Sequence, residues 1–202
     1  MRTDIIIAGV GGQGILTIAM VIGRAALARG LHLKQTEVHG MAQRGGAVQA
    51  HLRLSDTPIH SDLVPEGRAT LIVTMEPMEG LRYLQWLAPD GWLVSNIAPV
   101  QNITDYPPIE EVTAAVRAWP RHVLIDATVL ARDQQAPRAV NMAMLGAATP
   151  FLGISPEAIA AAIAEQFSRK GTEIVAGNDR VYRAALQVGL DASCAVNNPG
   201  SK

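Results

Sequence analysis

The chain has 202 residues, 49% hydrophobic and 17% charged, with a formal net charge of −1. So much apolar material supports a single domain with a sizeable core and excludes a disordered chain; the near-neutral balance excludes an electrostatic footprint for nucleic acid or an acidic membrane. The one cysteine, Cys194, excludes an internal disulfide framework and an iron–sulfur cluster held by this chain alone. No stretch approaches the ~20 uncharged apolar residues of a membrane span. The N-terminal apolar run is short and interrupted at Asp4, so a secretory signal is not expected and a reducing, cytoplasmic setting is. Few charges beside so many apolar residues also point to a partner that covers part of the surface.

Along the chain, Ile5–Ala8 reads as a strand buried on both faces, as in a parallel sheet. Gly9 to Gly14 breaks it, and Ile15–Arg29 reads as a helix stopped by Gly30. Leu31–Val38 is a second strand. Ala47–Leu54 alternates as a strand with one wet face, which places His51 and Arg53 together on that face. Ala69–Met75 is another core strand, Met78–Leu87 a helix with Pro77 at its start, Pro89-Asp90-Gly91 a turn and Trp92–Ser95 a strand. Ile109–Ala118 reads as a helix and Val123–Asp126 as a short strand. Helices follow at Pro137–Ala148, Pro156–Gln166 (capped by Ser155) and Thr172–Val188. Trp86, Trp92 and Trp119 read as core or interface anchors. The pattern is α/β: a Rossmann-like, open, mainly parallel sheet flanked by helices, with a C-terminal helical cap. A single domain is expected over residues 1–190, with a flexible tail at 191–202.

Gly9-Val10-Gly11-Gly12-Gln13-Gly14 matches the G-x-G-x-x-G fingerprint, after a strand and before a helix. Residues without a Cβ let the backbone turn sharply and approach a ligand. The helix start then offers unpaired N–H groups and a partial positive charge to a phosphate or carboxylate. A dinucleotide site also needs an acidic residue about 20 residues further on for the ribose hydroxyls. Glu37 is available, but at the far end of its strand. A free-standing nucleotide-binding protein or NAD(P)-dependent oxidoreductase is therefore the alternative reading, and a vestigial turn that contributes only packing is another.

The densest polar cluster is Glu37-Val38-His39-Gly40-Met41-Ala42-Gln43-Arg44-Gly45-Gly46. It follows the second strand, so it belongs at the same carboxyl edge as the glycine turn, where open α/β sheets bind ligands. His39, Gln43 and Arg44 are the candidates to line a site. Arg44 can pair with an anion, His39 can move a proton, and Gln43 can hydrogen-bond in both senses. An ordinary solvated loop is the competing reading. Gly9, Gly11, Gly12, Gln13, Gly14, Arg44, Gly45 and Gly46 are the candidate cofactor-binding residues. His51 and His60 are scattered, and no metal signature is present.

The run Gly9–Thr17, the loop Thr36–Val48 and the strand Leu52–Asp56, taken in this order, resemble the gamma-type subunit or domain of the 2-oxoacid:ferredoxin oxidoreductases, nearest the indolepyruvate branch. The resemblance continues in Asn141 to Gly146 and in Lys170-Gly171 leading to Asn178, and spans nearly the whole chain. It implies a complex that decarboxylates a 2-oxoacid on thiamine diphosphate with Mg²⁺, passes electrons through [4Fe-4S] clusters to ferredoxin, and transfers the acyl group to coenzyme A. The chain lacks the Gly-Asp-Gly…Asn type of segment that holds the thiamine diphosphate magnesium, so those parts are expected on a large alpha subunit. The small chain would then wall the active site. Gly11, Gly12, Gln13 and Gly14 would turn backbone N–H groups toward a phosphate of coenzyme A or thiamine diphosphate, or toward the partner. A homodimer of the isolated chain is a further possibility.

Overall fold

In the computed structural model, which describes residues 1–39, 46–101 and 104–197, short apolar runs bounded by glycine and proline turns become the strands of one sheet. These are β1 (Arg2–Val10), β2 (His32–His39), β3 (Ala47–Ser55), β4 (Ala69–Thr74), β5 (Leu87–Asn96) and β6 (His122–Ile125). The helices among the described residues are α1 (Ile15–Ala28), α2 (Pro77–Arg82), α3 (Ile109–Arg117), α4 (Ala127–Asp133), α5 (Val140–Ala148), α6 (Pro156–Phe167) and α7 (Thr172–Asn197).

The strand order is β2-β3-β1-β4-β5-β6. β1, β4, β5 and β6 are parallel, and β3 lies antiparallel between β2 and β1. The sheet is thus mainly parallel, as expected, with one reversed strand. Because β3 is reversed, β1 and β2 point the same way. Val10, His39, Thr74, Asn96 and Ile125 therefore end at one edge, where β3 begins at Ala47.

The alternation of β1 explains its place in the middle. Ile5 and Ile7 join the large core beneath α1 and α4 to α7, while Ile6 joins a smaller core with Ile72, Leu93 and Val116 beneath α2 and α3. α1 ends as its glycine predicts. Gly30 adopts φ 71, and the Arg29 and Gly30 N–H groups close on the Ala26 and Leu27 carbonyls. Ser155 caps α6 by accepting the Ala158 N–H at 3.4 Å. Trp92 stacks on Phe151 with ring centroids 4.0 Å apart, and the Trp119 indole donates to the Gly91 carbonyl at 2.9 Å.

Several local expectations are corrected. The helix from Met78 stops at Arg82 and a single 3-10 turn follows at Leu84–Trp86, because Leu87 is needed to pair with Ala69 and enter the smaller core. Pro89-Asp90-Gly91 is absorbed into β5 as an irregularity opposite Ala69 to Leu71. α4 has no counterpart in the sequence reading; its start is fixed by Asp126, whose carboxylate accepts the Val129 N–H at 2.9 Å. α5 begins at Val140 rather than Pro137, and α7 continues past Val188 to Asn197, into the stretch expected to be tail.

The wet face assigned to His51 and Arg53 is dry, with both residues only 4% exposed. Asp4 stands directly opposite Arg53 in the register, and residues 61–64 cross the sheet over both side chains. His51 Nδ1 accepts the Val64 N–H at 3.1 Å, so that nitrogen carries no proton. Burial lowers the imidazole pKa below its usual 6.5, against a weaker opposing pull from Asp62. A histidine depressed in the folded state lends stability above its unfolded pKa and loses it as pH falls through the folded one. Thermal midpoints of the wild type are therefore expected to fall between about pH 7 and about pH 5 more steeply than those of His51→Asn, which keeps an acceptor for Val64 but does not titrate. Parallel curves for the two proteins would refute this role for His51.

Candidate functional site

The glycine turn sits where β1 meets α1, and each of its glycines answers a different constraint. A Cβ at Gly9 would lie 2.6 Å from Gln13 Oε1 and 2.9 Å from Met75 Cβ, so that position is closed to any side chain. Gln13 folds back over it, accepting the Val10 N–H at 2.7 Å and donating to the Met75 carbonyl at 3.3 Å. This ties the end of β1 to the end of β4. The Gly11 N–H donates to the Gly46 carbonyl at 3.0 Å, which ties the turn to the start of β3. Gly12 has φ +97 with nothing within 4 Å of a would-be Cβ. Gly14, at φ +83, caps α1 without a side-chain hydrogen bond, and a Cβ there would meet Asn141 Nδ2 at 2.6 Å.

This geometry redistributes the roles read from sequence. The Gly11 and Gln13 N–H groups are already bonded inside the turn, the latter to Val10 at 3.2 Å, and so are not turned to a ligand. Gly9, Gly11, Gln13 and Gly46 shape the turn. Among the described residues, no acceptor meets the N–H groups of Gly12, Gly14, Ile15 and Leu16, and the first turn of α1 has no acidic residue. What remains open are the N–H groups of Gly12, Gly14 and the helix start, a geometry and dipole that suit an anion and form the candidate cradle.

The cradle opens into a cleft of about 480 Å³. Asn96 and Asn141, Thr128 of α4, Arg138 just ahead of α5, and residues 98–100 complete its wall. Asn96 is locked, donating to the Met75 carbonyl at 3.3 Å and accepting the Ala127 N–H at 3.1 Å. Arg138 is exposed and, among the described residues, has no carboxylate within ion-pair distance. The 98–100 wall hangs on Glu76, a buried carboxylate that caps α2 through the Glu79 N–H at 2.8 Å. It also accepts the Val100 N–H at 3.4 Å and the Tyr106 hydroxyl. Burial and the Glu76 hydrogen bond push the Tyr106 pKa well up, so that hydroxyl stays a donor. Burial likewise raises Glu79, partly offset by Arg82, whose Nε lies 3.3 Å away.

Gln43, Arg44 and Gly45, and the side chain of His39, lie outside the described residues; the backbone of His39 ends β2 at this same edge. Sequence reasoning missed Asn96, Thr128 and Arg138. Asn141 carried a signal, as the first residue of the run Asn141 to Gly146. Among the described residues no cluster of His, Cys, Asp or Glu could hold a metal ion, and no helix is long and apolar enough to cross a membrane.

An open, mainly parallel α/β sheet with a glycine turn and helix start at its carboxyl edge defines a Rossmann-like domain. Residues 4–188 match the family model for pyruvate ferredoxin/flavodoxin oxidoreductases, and the chain belongs to that family. It is 39% identical over 158 residues, 74% of this chain and 78% of the relative, to an indolepyruvate oxidoreductase subunit of Pyrococcus horikoshii. The counterpart from Methanothermobacter thermautotrophicus is 30% identical over 91% of this chain and 95% of its own length. Among solved structures, the gamma subunit of a keto/oxoacid ferredoxin oxidoreductase from Geobacter sulfurreducens superposes with TM-score 0.67 at 22% identity, covering 94% of this chain and 99% of that one. The 2-oxoglutarate:ferredoxin oxidoreductase of Magnetococcus marinus gives TM-score 0.74 at 19% identity; this chain covers 31% of that much longer one with 94% of its own length. These relatives make the chain the small-subunit type of a 2-oxoacid:ferredoxin oxidoreductase and set aside the free-standing NAD(P) reading.

Proposed function

We propose that this chain walls the active site of a 2-oxoacid:ferredoxin oxidoreductase of the indolepyruvate type. In this reading it holds a phosphate of coenzyme A or of thiamine diphosphate on the Gly12 and Gly14 N–H groups. The observation that carries the proposal is the set of N–H groups at the start of α1 that meet no acceptor among the described residues, facing a cleft that also holds Arg138, which has no carboxylate partner among them. Gly12 supports it further, because its left-handed backbone leaves open space where a side chain would stand. The complementary large subunit carries thiamine diphosphate, Mg²⁺ and [4Fe-4S] clusters, and passes electrons to ferredoxin in the cytoplasm. The single cysteine, exposed on α7, fits that division of labour. When bound to the complex, thiamine diphosphate would supply the electron sink for decarboxylation; this chain's residues would bind, orient and exclude water. His39, Gln43, Arg44 and Gly45 are proposed to border the same space.

The test is co-expression with a candidate large subunit that carries thiamine diphosphate and cluster-binding segments. The two should co-elute, and indolepyruvate should be oxidised with coenzyme A and ferredoxin. Arg138→Ala is expected to raise the KM for coenzyme A or for thiamine diphosphate about tenfold, the worth of one charge-assisted hydrogen bond. Assembly and kcat should be kept. Unchanged KM values for both ligands would remove the phosphate role; failure of the wild-type chains to co-elute would remove the subunit reading.

A further inference from the structure

Across Arg138 and Asn141 from the glycine cleft lies a second one, of about 530 Å³. It is framed by the corner between α4 and α5, the end of α6, and the first turns of α7. Its apolar lining comes from Ala136, Pro137, Phe167 and Ile174. Ile174, on α7, is 45% exposed. Its charged lining is Arg138, Lys170, Arg180 and Glu173. Among the described residues none of the three cations has a carboxylate within ion-pair distance. Lys170 lies with Nζ 5.4 Å from the Phe167 ring centroid, and Arg180 reaches only the Gln134 carbonyl, at 3.4 Å. The corner itself is strained. Gln135 is a non-glycine residue at φ 58, held there by hydrogen bonds from its N–H to Arg132 and from the Ala136 N–H to Ala131. A left-handed non-glycine residue costs about 1–3 kcal/mol and persists where the surroundings over-determine it, often beside a ligand site.

We propose that this cleft binds a small organic anion: a carboxylate or phosphate attached to a flat apolar body. Three cations against one carboxylate leave a net positive charge over a low-dielectric lining, a field that concentrates anions and is relieved by one. Phe167, Pro137 and Ile174 supply a surface that a bare inorganic anion would not use and an aromatic or heterocyclic ring would. The volume suits a ligand of that size, whereas a stable protein contact buries about 800 Å² per partner. The inference goes beyond the function proposed above. It rests on Lys170, Arg180, Phe167 and Ile174, which the glycine cleft does not use; Arg138 and Asn141 alone stand on the wall shared by both clefts.

The experiment titrates the isolated full-length chain calorimetrically with indole-3-acetate, adenosine monophosphate and inorganic phosphate. The first two separate an aryl carboxylate from a nucleotide as the source of the anion. At least one of them should bind saturably, at least about tenfold more tightly than inorganic phosphate. Lys170→Ala and Arg180→Ala should each weaken it about tenfold. Both side chains are on the surface, so melting curves should be unchanged and a loss of binding will not reflect unfolding. The proposal is overturned if neither organic anion binds, if inorganic phosphate binds as tightly, or if both variants leave binding intact. It is also overturned if both variants bind as wild type does but no longer assemble with the large subunit, which would make the cleft a protein contact. Because the readout is binding to the isolated chain, its failure leaves the subunit assignment standing, and failure of co-elution leaves this site standing.

Discussion

Gly146→Ala is expected to cost about 3 kcal/mol of stability, among the larger effects of a single added methyl group. A Cβ at that position would lie 2.3 Å from the Tyr182 carbonyl oxygen and 3.0 Å from both Ala185 Cβ and the Leu186 nitrogen. The first and last of these are backbone atoms of α7, so no side chain can rotate aside and α5 itself must move. It has little room to do so, because Met142, Ala143, Met144, Leu145, Ala147 and Ala148 are all fully buried. A second backbone contact, one turn further along α7, sets Gly189 against the Ala147 carbonyl, 2.3 Å from its would-be Cβ, and pins α5 again at the next residue. The effect should reach the site, since Asn141 at the start of α5 rests against Gly14 of the glycine turn. Urea midpoints read the stability change. Gly177→Ala is the comparison, since its Cβ meets nothing nearer than Ala136 Cβ at 3.1 Å and should shift stability by less than about 1 kcal/mol. Equal midpoints for Gly146→Ala and the wild type would refute the backbone contact between α5 and α7.

Arg53→Ala is expected to cost about 3–5 kcal/mol, the loss typical of breaking a buried ion pair from one side. Arg53 and Asp4 have side chains only 5% exposed, joined by Nε to Oδ1 at 2.7 Å and Nη2 to Oδ2 at 3.3 Å. The remaining nitrogen, Nη1, donates to the Ser61 and Leu63 carbonyls at 3.0 and 2.8 Å. Truncation therefore strands a buried carboxylate, leaves it only Arg2 at 3.0 Å, and frees the segment that covers His51. Burial already raises the Asp4 pKa, with Arg2 opposing, and removing Arg53 should raise it further. A carboxyl raised in the folded state lends stability below its unfolded pKa and loses it as pH rises through the folded one. The deficit of Arg53→Ala should thus be largest near neutrality and shrink toward about pH 4. The double replacement Asp4→Leu with Arg53→Met should recover most of it, because two apolar side chains need no partners. A single variant as stable as the wild type at neutral pH would refute the role of the pair.

How much of this could be read along the chain varies with how local the cause is. β1, the glycine turn and α1 are contiguous, and their signals act within a few residues. Three isoleucines need burial on both faces, glycines supply φ angles of +97 and +83 at positions 12 and 14, and Gly30 ends the helix at φ 71. The caps at Ser155 and the early Pro77 are equally local. The mainly parallel sheet also followed, since strand–helix alternation allows few other arrangements.

Sequence by itself therefore determined the strand–turn–helix opening, the fold class and the edge of the sheet at which the glycine turn lies. Tertiary structure decided whether the Gly11 N–H remains available, because the Gly46 carbonyl reaches the turn only after β3 has docked beside β1, whereas the Gln13 N–H closes on Val10 within the turn itself. It also decided that His51 and Arg53 are buried: their alternation with apolar neighbours is that of a wet face, and only Asp4 and residues 61–64 close over them. Asn96, Thr128 and Arg138 stand in no local pattern. They join Gly12 and Gly14 because strand order brings the ends of β1, β4 and β5 and the helices after β6 to one edge, and such proximity is a property of the packed sheet that no short stretch of chain encodes.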